Sequence, residues 1–217
     1  MICVPVDREA LLAEARSRVT RRRDIGQAFE RLGPAGAELA LCLDAAFDCV
    51  HALARPAATV LPLRLRSLER ELGIEHEIQA PGGGGAPAQA IGFVYLLGCG
   101  DDSRDAFKRL HGDYTSHHFQ DAIARELVFA LGREVSRWLR RQRPDWRFVR
   151  QVLRGGRAGR LLRRFDGAPP HVRANAAGAL VPLHSVLGWM LGTPGGAPSA
   201  EPPADPAQPS AATARPE

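Results

Sequence analysis

Apolar residues spaced three and four positions apart predict amphipathic helices in this chain. The first spans residues 8–22 and begins after Asp7, whose side chain is a good N-cap. The second, AGAELALCLDAAFDCVHALA, is apolar nearly all round and stops before Pro56. Such a pattern favours a deeply buried helix.

The longest helix is predicted from Asp113 to about Arg141, and Pro144 ends its pattern. Shorter helices are predicted at residues 66–73 and 101–112. In the longest helix one apolar stripe steps by four and three residues, which predicts the face that packs against the core. The stripe consists of Phe119, Ile123, Leu127, Leu131, Val135 and Trp138.

Short apolar runs predict the strands. AIGFVYLLG is almost continuously apolar, as expected of a central strand, whereas Pro62 in TVLPLRL indicates an edge or bulged strand. Two more strands are predicted around residues 171–175 and 178–190. Helices and strands are interspersed without regular βαβ alternation, so the predicted fold class is α+β.

The composition indicates a single domain. With 217 residues, of which 45% are hydrophobic, the chain can bury one substantial core. We expect this domain to cover residues 1–193, with a helical N-terminal part up to about residue 80, and a disordered Pro/Ala-rich tail at 194–217. No apolar run approaches the roughly 20 residues of a membrane span, and no signal peptide is evident, so a cytoplasmic location is expected.

Isolated reactive residues do not combine into a recognised site. Ser185 and His184 are neighbours, and side chains of neighbours in an extended chain point to opposite faces, so a nucleophile–base pair is not expected. His117 and His118 diverge on a helix, which disfavours a metal site. The four cysteines lack zinc-site spacing and are expected to be free thiols. PGGGGAP (81–87) has no following Lys-Ser/Thr and is expected to be a surface loop.

Positive charge is concentrated in one arginine-rich run, residues 133–164, in a chain of net charge +5. One hypothesis is therefore an arginine-rich module that binds nucleic acid or another anion, with an affinity that falls steeply with salt. No helix-turn-helix, zinc-finger or RNA-recognition signature accompanies the run, which disfavours a nucleic-acid partner. A non-catalytic scaffold is the other hypothesis of a different class.

Four segments, in order, resemble the activation (reactivation) domain of vitamin B12-dependent methionine synthase and its short stand-alone relatives. AIGFVYLLG is similar to an apolar strand that ends Thr-Leu-Gly in the family, and GDYTSHHFQDAIARELVFALGREVSRWLRR resembles its long helix. RQRPDW falls where the family has Arg-x-x-Pro-Gly-Tyr, and PLHSVLGW is similar to Pro-x-x-Ser-Val-x-Gly-aromatic. The resemblance covers roughly residues 90–192 and implies a mostly antiparallel, curved sheet flanked by helices.

The resemblance implies a protein that binds S-adenosylmethionine and supports reductive methylation of cobalamin held by a partner. That partner would be a corrinoid protein or a methionine synthase core, with a flavodoxin-like or ferredoxin-like electron donor. Arg141 would hold the ligand's carboxylate, Pro144 would stiffen the turn, and Trp146 would contact the adenine or the sulfonium. The residues implied at the ligand site are Arg141, Arg143, Pro144, Trp146, Glu126 and Trp189.

Three departures from the family pattern affect the expected ligand site. Asp145 replaces the glycine of the turn, and Phe129 stands where related helices often carry a glutamate. RANA (173–176) replaces Leu-Thr-Glu-Ser, so a second carboxylate is missing. The sequence leaves open whether the chain keeps the ligand or only the architecture.

Overall fold

The computed structural model describes residues 1–21, 27, 31–72, 89–100, 114–152, 158–176, 179–182 and 184–194. Its α-helices are α1 (Arg8–Thr20), α2 (Pro34–Leu53), α3 (Leu65–Leu72), α4 (Tyr114–Gln142) and α5 (Ala158–Leu162), the last followed by a 3₁₀ turn at Arg163–Phe165. Its strands are β1 (Ile2–Cys3), β2 (Ala57–Arg64), β3 (Ile91–Gly98), β4 (Trp146–Val152), β5 (Arg173–Ala174), β6 (Leu180–Val181) and β7 (Ser185–Pro194).

A five-stranded antiparallel sheet in the order β1-β2-β3-β7-β4 lies at the centre of the structure. β3 and β7 pair along their length, with Tyr95 opposite Gly188, and β4 pairs with the second half of β7, with Trp146 opposite Pro194. β5 and β6 form a separate two-stranded ribbon. The sheet and its helices confirm the α+β class.

Both faces of the sheet are covered, which explains the nearly continuous apolar run in β3. Phe93, Tyr95 and Leu97 pack in one apolar layer with buried residues of α1, α2 and α4. The alternate residues, Val94 and Leu96, pack in a second layer with residues of α3, α5 and the 3₁₀ turn. Successive side chains of a strand point to opposite faces, so a strand buried on both faces needs apolar residues at every position.

The predicted stripe of α4 faces the first apolar layer. Ile123, Leu127, Leu131 and Val135 are fully buried there, and Phe119 is nearly so. The last turn differs from the prediction, because a buried Leu139 replaces Trp138, which is only partly buried. The stripe rotates slowly around a helix of 3.6 residues per turn, and this rotation brings position 139 to the core.

Element boundaries match the prediction in the N-terminal part and differ in the C-terminal part. The Asp7 carboxylate caps α1 by accepting from the Ala10 N–H at 3.0 Å. The strand predicted at 178–190 is wrong in extent, since β6 is separate and β7 continues to Pro194. β4 was not predicted.

Several predictions fall outside the described residues. These are the helix at 101–112, the loop at 81–87 and the tail beyond Pro194. Among the described helices, none combines the length and apolar character that a bilayer crossing requires.

Candidate functional site

An open cleft of about 300 Å³ lies between α4 and the beginning of β7. One polar end and one apolar end make it suited to an amphipathic small molecule. α4 contributes Asp121, Arg125, Val128 and Phe129, and the β7 side contributes His184, Ser185 and Val186.

The polar end is organised by Asp121. One carboxylate oxygen lies 3.1 Å from His184 Nε2, and the other accepts from Arg125 Nη2 at 3.3 Å. The His184 side chain is only 10% exposed, whereas those of Asp121 and Arg125 are about half exposed. The cleft therefore presents a carboxylate and a guanidinium to solvent beside an imidazole that is held in place.

The apolar end is formed by Val128, Val186 and the ring of Phe129. Phe129 is 42% exposed, which is unusual for a large aromatic side chain on a helix that is otherwise packed against the core. Asp121, Arg125 and Phe129 follow one another at intervals of four residues, so they lie on the same face of α4. This face of α4 therefore supplies both the charged groups and the aromatic ring of the cleft.

Ser185 and His184 diverge, as expected. The Ser185 hydroxyl lies beside Gly98, since a Cβ built there would be 3.4 Å from Oγ, whereas His184 turns towards α4. The two side chains therefore face different parts of the molecule and do not form a nucleophile–base pair.

The bend that follows α4 is a second basic corner. Arg143 places its guanidinium carbon 4.6 Å from the centre of the Trp146 ring, and the backbone N–H of Trp146 donates to the backbone carbonyl of Arg143 at 3.1 Å. Arg141 donates through Nη2 to Glu134 at 2.7 Å. Pro144 is exposed at the turn itself. The bend adjoins the end of the last strand, but its arginines already contact groups of the protein.

Two residues implied by the resemblance lie away from this bend. Trp189 is 7% exposed in the second apolar layer, with Val94 as its neighbour across the strands, so it is on the opposite face of the sheet from α4. Glu126 precedes Arg141 by 15 helical residues, about 22 Å along the axis. It lines a separate depression with residues of α1. The expectation of one groove containing Trp189, Glu126 and Arg141 is therefore corrected by the structure.

Part of the arginine run forms ion pairs that connect α1 to α4. Glu14 of α1 accepts from Arg133 Nε at 2.7 Å and from Arg137 Nη2 at 3.1 Å. Glu134 pairs with Arg137 Nη1 at 3.2 Å and with Arg141. Burial raises the pKa of Glu14, but the attraction and hydrogen bond of Arg133 outweigh it, so the pKa lies below its ordinary value.

Comparisons with known proteins assign no family to the chain: no family model matches it, and no curated protein is significantly similar to it. Within the described ranges, no cluster of three histidine, cysteine or acidic side chains could hold a metal ion.

The residues that line the cleft were largely missed by sequence reasoning. Phe129 was noted only as a position of the resemblance, Ser185 and His184 were considered only as a nucleophile–base pair that was not expected, and Asp121 and Arg125 were not assigned to a site. The available signal was the spacing of four between Asp121, Arg125 and Phe129, which sets a charged and aromatic stripe beside the core stripe of α4.

Proposed function

We propose that this chain is similar in function to the methionine synthase activation domain. It binds S-adenosylmethionine in the cleft between α4 and β7 and supports reductive methylation of cobalamin on a partner corrinoid protein. The resemblance supports this proposal, because two of its four segments, those of α4 and β7, border the cleft. The observation that carries it is the alignment of Asp121, Arg125 and Phe129 along one side of that cleft.

The polar end of the cleft fits the amino-acid end of S-adenosylmethionine. Asp121 would accept from the ammonium group, and Arg125 would donate to the carboxylate, because each is the charge-assisted partner of that group. The two side chains already pair at 3.3 Å while about half exposed. Exposed pairs of this kind contribute about 0–1 kcal/mol, so opening the pair for a zwitterion costs little. His184 keeps the Asp121 carboxylate oriented towards the cleft.

The apolar end fits the sulfonium and its neighbouring carbons. Phe129 replaces the glutamate of related helices, and its side chain, 42% exposed, would attract a cation by about 0.5–2 kcal/mol. Val128 and Val186 exclude water beside it. When bound, S-adenosylmethionine supplies a methyl group. A cleft of about 300 Å³ is small for a site of this type and leaves part of the ligand exposed, as presentation to a second protein requires.

The partner in this proposal holds the cobalamin, and a flavodoxin-like or ferredoxin-like protein supplies the electron. Cysteines 3, 42, 49 and 99 are all free thiols. Free thiols accord with the reducing environment in which such an electron transfer takes place, so we place the activity in the cytoplasm.

Calorimetric titration with S-adenosylmethionine tests the proposal. The wild type is expected to bind in the micromolar range, and Arg125→Ala and Phe129→Ala are each expected to weaken binding at least tenfold. Glu126→Gln, on the same helix but outside the cleft, is the matched control and should bind like the wild type. Thermal unfolding of each variant checks that the fold is retained.

Two results would redirect or reject the proposal. If only Arg143→Ala lost binding, the result would indicate that S-adenosylmethionine binds at the bend beside Trp146. The absence of wild-type binding at millimolar ligand would reject S-adenosylmethionine binding and leave the scaffold hypothesis.

Three arginines of the run count against the nucleic-acid alternative. Arg133, Arg137 and Arg141 pair with carboxylates of the protein itself, which lowers the charge that they offer to phosphates. Binding of DNA or RNA that falls by orders of magnitude between about 50 and 200 mM salt would reinstate this alternative.

A further inference from the structure

A second cavity, of about 490 Å³, lies across the sheet from the cleft, between the 3₁₀ turn and β5. Its position is set by buried residues of the second apolar layer, which also contains Trp189. The side chains that define its character are Leu162, Arg163, Phe165, Asp166, His171 and Arg173.

The arginines at the rim of this cavity differ from those on α4 in whether they have carboxylate partners. Arg163, His171 and Arg173 are exposed, and their side chains make no ion pair or hydrogen bond within the described part of the chain. The arginines at 133, 137 and 141 all have carboxylate partners. Two guanidinium groups around one cavity therefore remain available to a ligand.

The floor of the cavity is apolar. Leu162, Phe165 and Ala168 are each less than 10% exposed and belong to the second apolar layer. Asp166 adds one carboxylate to the rim, which leaves a net charge of +1 from the two arginines and this acid. A cation-rich rim above an apolar floor selects an anionic group attached to an apolar or aromatic body.

We infer that this cavity binds a phosphate monoester on an aromatic body, of the size and chemistry of a nucleoside monophosphate. Arg163 and Arg173 would hold the phosphate, because the planar guanidinium donates two parallel hydrogen bonds to phosphate oxygens. The base would rest on the floor beside Phe165, and Asp166 would accept from a sugar hydroxyl. A volume of about 490 Å³ lies within the range of small-molecule sites.

This inference is independent of the proposed function, because the two sites lie on opposite faces of the sheet and share no residue. Calorimetry at fixed ionic strength with adenosine monophosphate, adenosine and inorganic phosphate tests it. Adenosine monophosphate is expected to bind at least tenfold more tightly than either of the other two. Arg163→Ala and Arg173→Ala should each weaken that binding at least tenfold and leave S-adenosylmethionine binding unchanged.

Arg164→Ala is the matched control, since Arg164 is exposed beside Arg163 but does not line the cavity. Binding by this control should equal that of the wild type, and thermal unfolding should show that every variant is folded. Three results would overturn the inference: no binding of adenosine monophosphate at millimolar concentration, equal binding of inorganic phosphate, or full binding by the Arg163→Ala, Arg173→Ala double variant.

Discussion

Replacing Glu14 by glutamine tests whether the arginines of α4 stabilise the fold. Glu14 accepts from Arg133 at 2.7 Å and from Arg137 at 3.1 Å, and its side chain is 28% exposed. The substitution keeps the size of the side chain and one oxygen acceptor but removes the negative charge. It therefore isolates the electrostatic part of the contact between α1 and α4.

The expected loss is about 1–2 kcal/mol of unfolding free energy. A fully exposed pair contributes about 0–1 kcal/mol, and a hydrogen bond to a charged group contributes about 1.5–3 kcal/mol. The Glu14–Arg133 pair lies between these cases because both side chains are about 30% exposed. For a domain of this size, each kcal/mol corresponds to a shift of about 2–4 °C in Tm.

A double-mutant cycle with Arg133→Gln measures the interaction itself. Chemical denaturation of the wild type, both single variants and the double variant should give a coupling energy of about 1 kcal/mol between Glu14 and Arg133. Glu126→Gln is the control, because Glu126 borders the same depression but has no ion pair in the described part of the chain. A coupling energy near zero would refute the view that these arginines act as internal ion pairs.

The same pair predicts an acid dependence. The folded pKa of Glu14 lies below its ordinary value of 4.5, so the unfolded state binds the proton more readily. The stabilisation is therefore complete well above pH 4.5 and is lost as the pH falls through the lower, folded pKa. The difference in stability between wild type and Glu14→Gln should shrink below pH 4.5, and a difference that stays constant down to pH 3 would contradict this reasoning.

Three further predictions concern the core. Gly192→Ala should destabilise the protein by about 1–3 kcal/mol, because the new Cβ would lie 2.9–3.2 Å from three aromatic rings. Gly159→Ala is the control, because a Cβ there meets open space, and it should be neutral or stabilising. Denaturant midpoints of the two variants and the wild type give the comparison. Leu131→Ala removes a fully buried side chain and should cost about 2–5 kcal/mol in the same assay. Burial raises the pKa of Cys99 to about 12. A thiol reagent at neutral pH should therefore label the exposed Cys3 in the native protein and Cys99 only after unfolding. Equal labelling of both cysteines in the native protein would contradict the burial of Cys99.

The elements with a strong apolar period were predictable from sequence. Most apolar residues of β3 and most of the apolar stripe of α4 are buried in the structure, as their spacing predicts. β4 was missed because Arg147 and Arg150 interrupt its apolar residues. In the structure Arg150 lies against α4 at Gly132, where a Cβ would collide with its guanidinium. The long Arg150 side chain covers the helix at a glycine although the residue remains exposed, so a hydropathy pattern assigns this strand position to solvent.

The location of the cleft depended on tertiary contacts that no local pattern encodes. The period of α4 identifies its buried stripe, but it does not show that the flank carrying Asp121 and Phe129 adjoins the start of β7. For Trp189, alternation along β7 was the available signal. Leu187, Trp189 and Leu191 share one face and Met190 the other, so Trp189 had to lie away from α4 once Met190 faced it.

Nuclear magnetic resonance with S-adenosylmethionine labelled with ¹³C at its methyl group would locate the bound sulfonium in the cleft. We expect nuclear Overhauser effects from that methyl group to the ring of Phe129 and to the methyl groups of Val128 and Val186, with loss of these signals in Arg125→Ala. Contacts to the ring of Trp146 instead, or no detectable binding by the folded wild type, would contradict binding in the cleft.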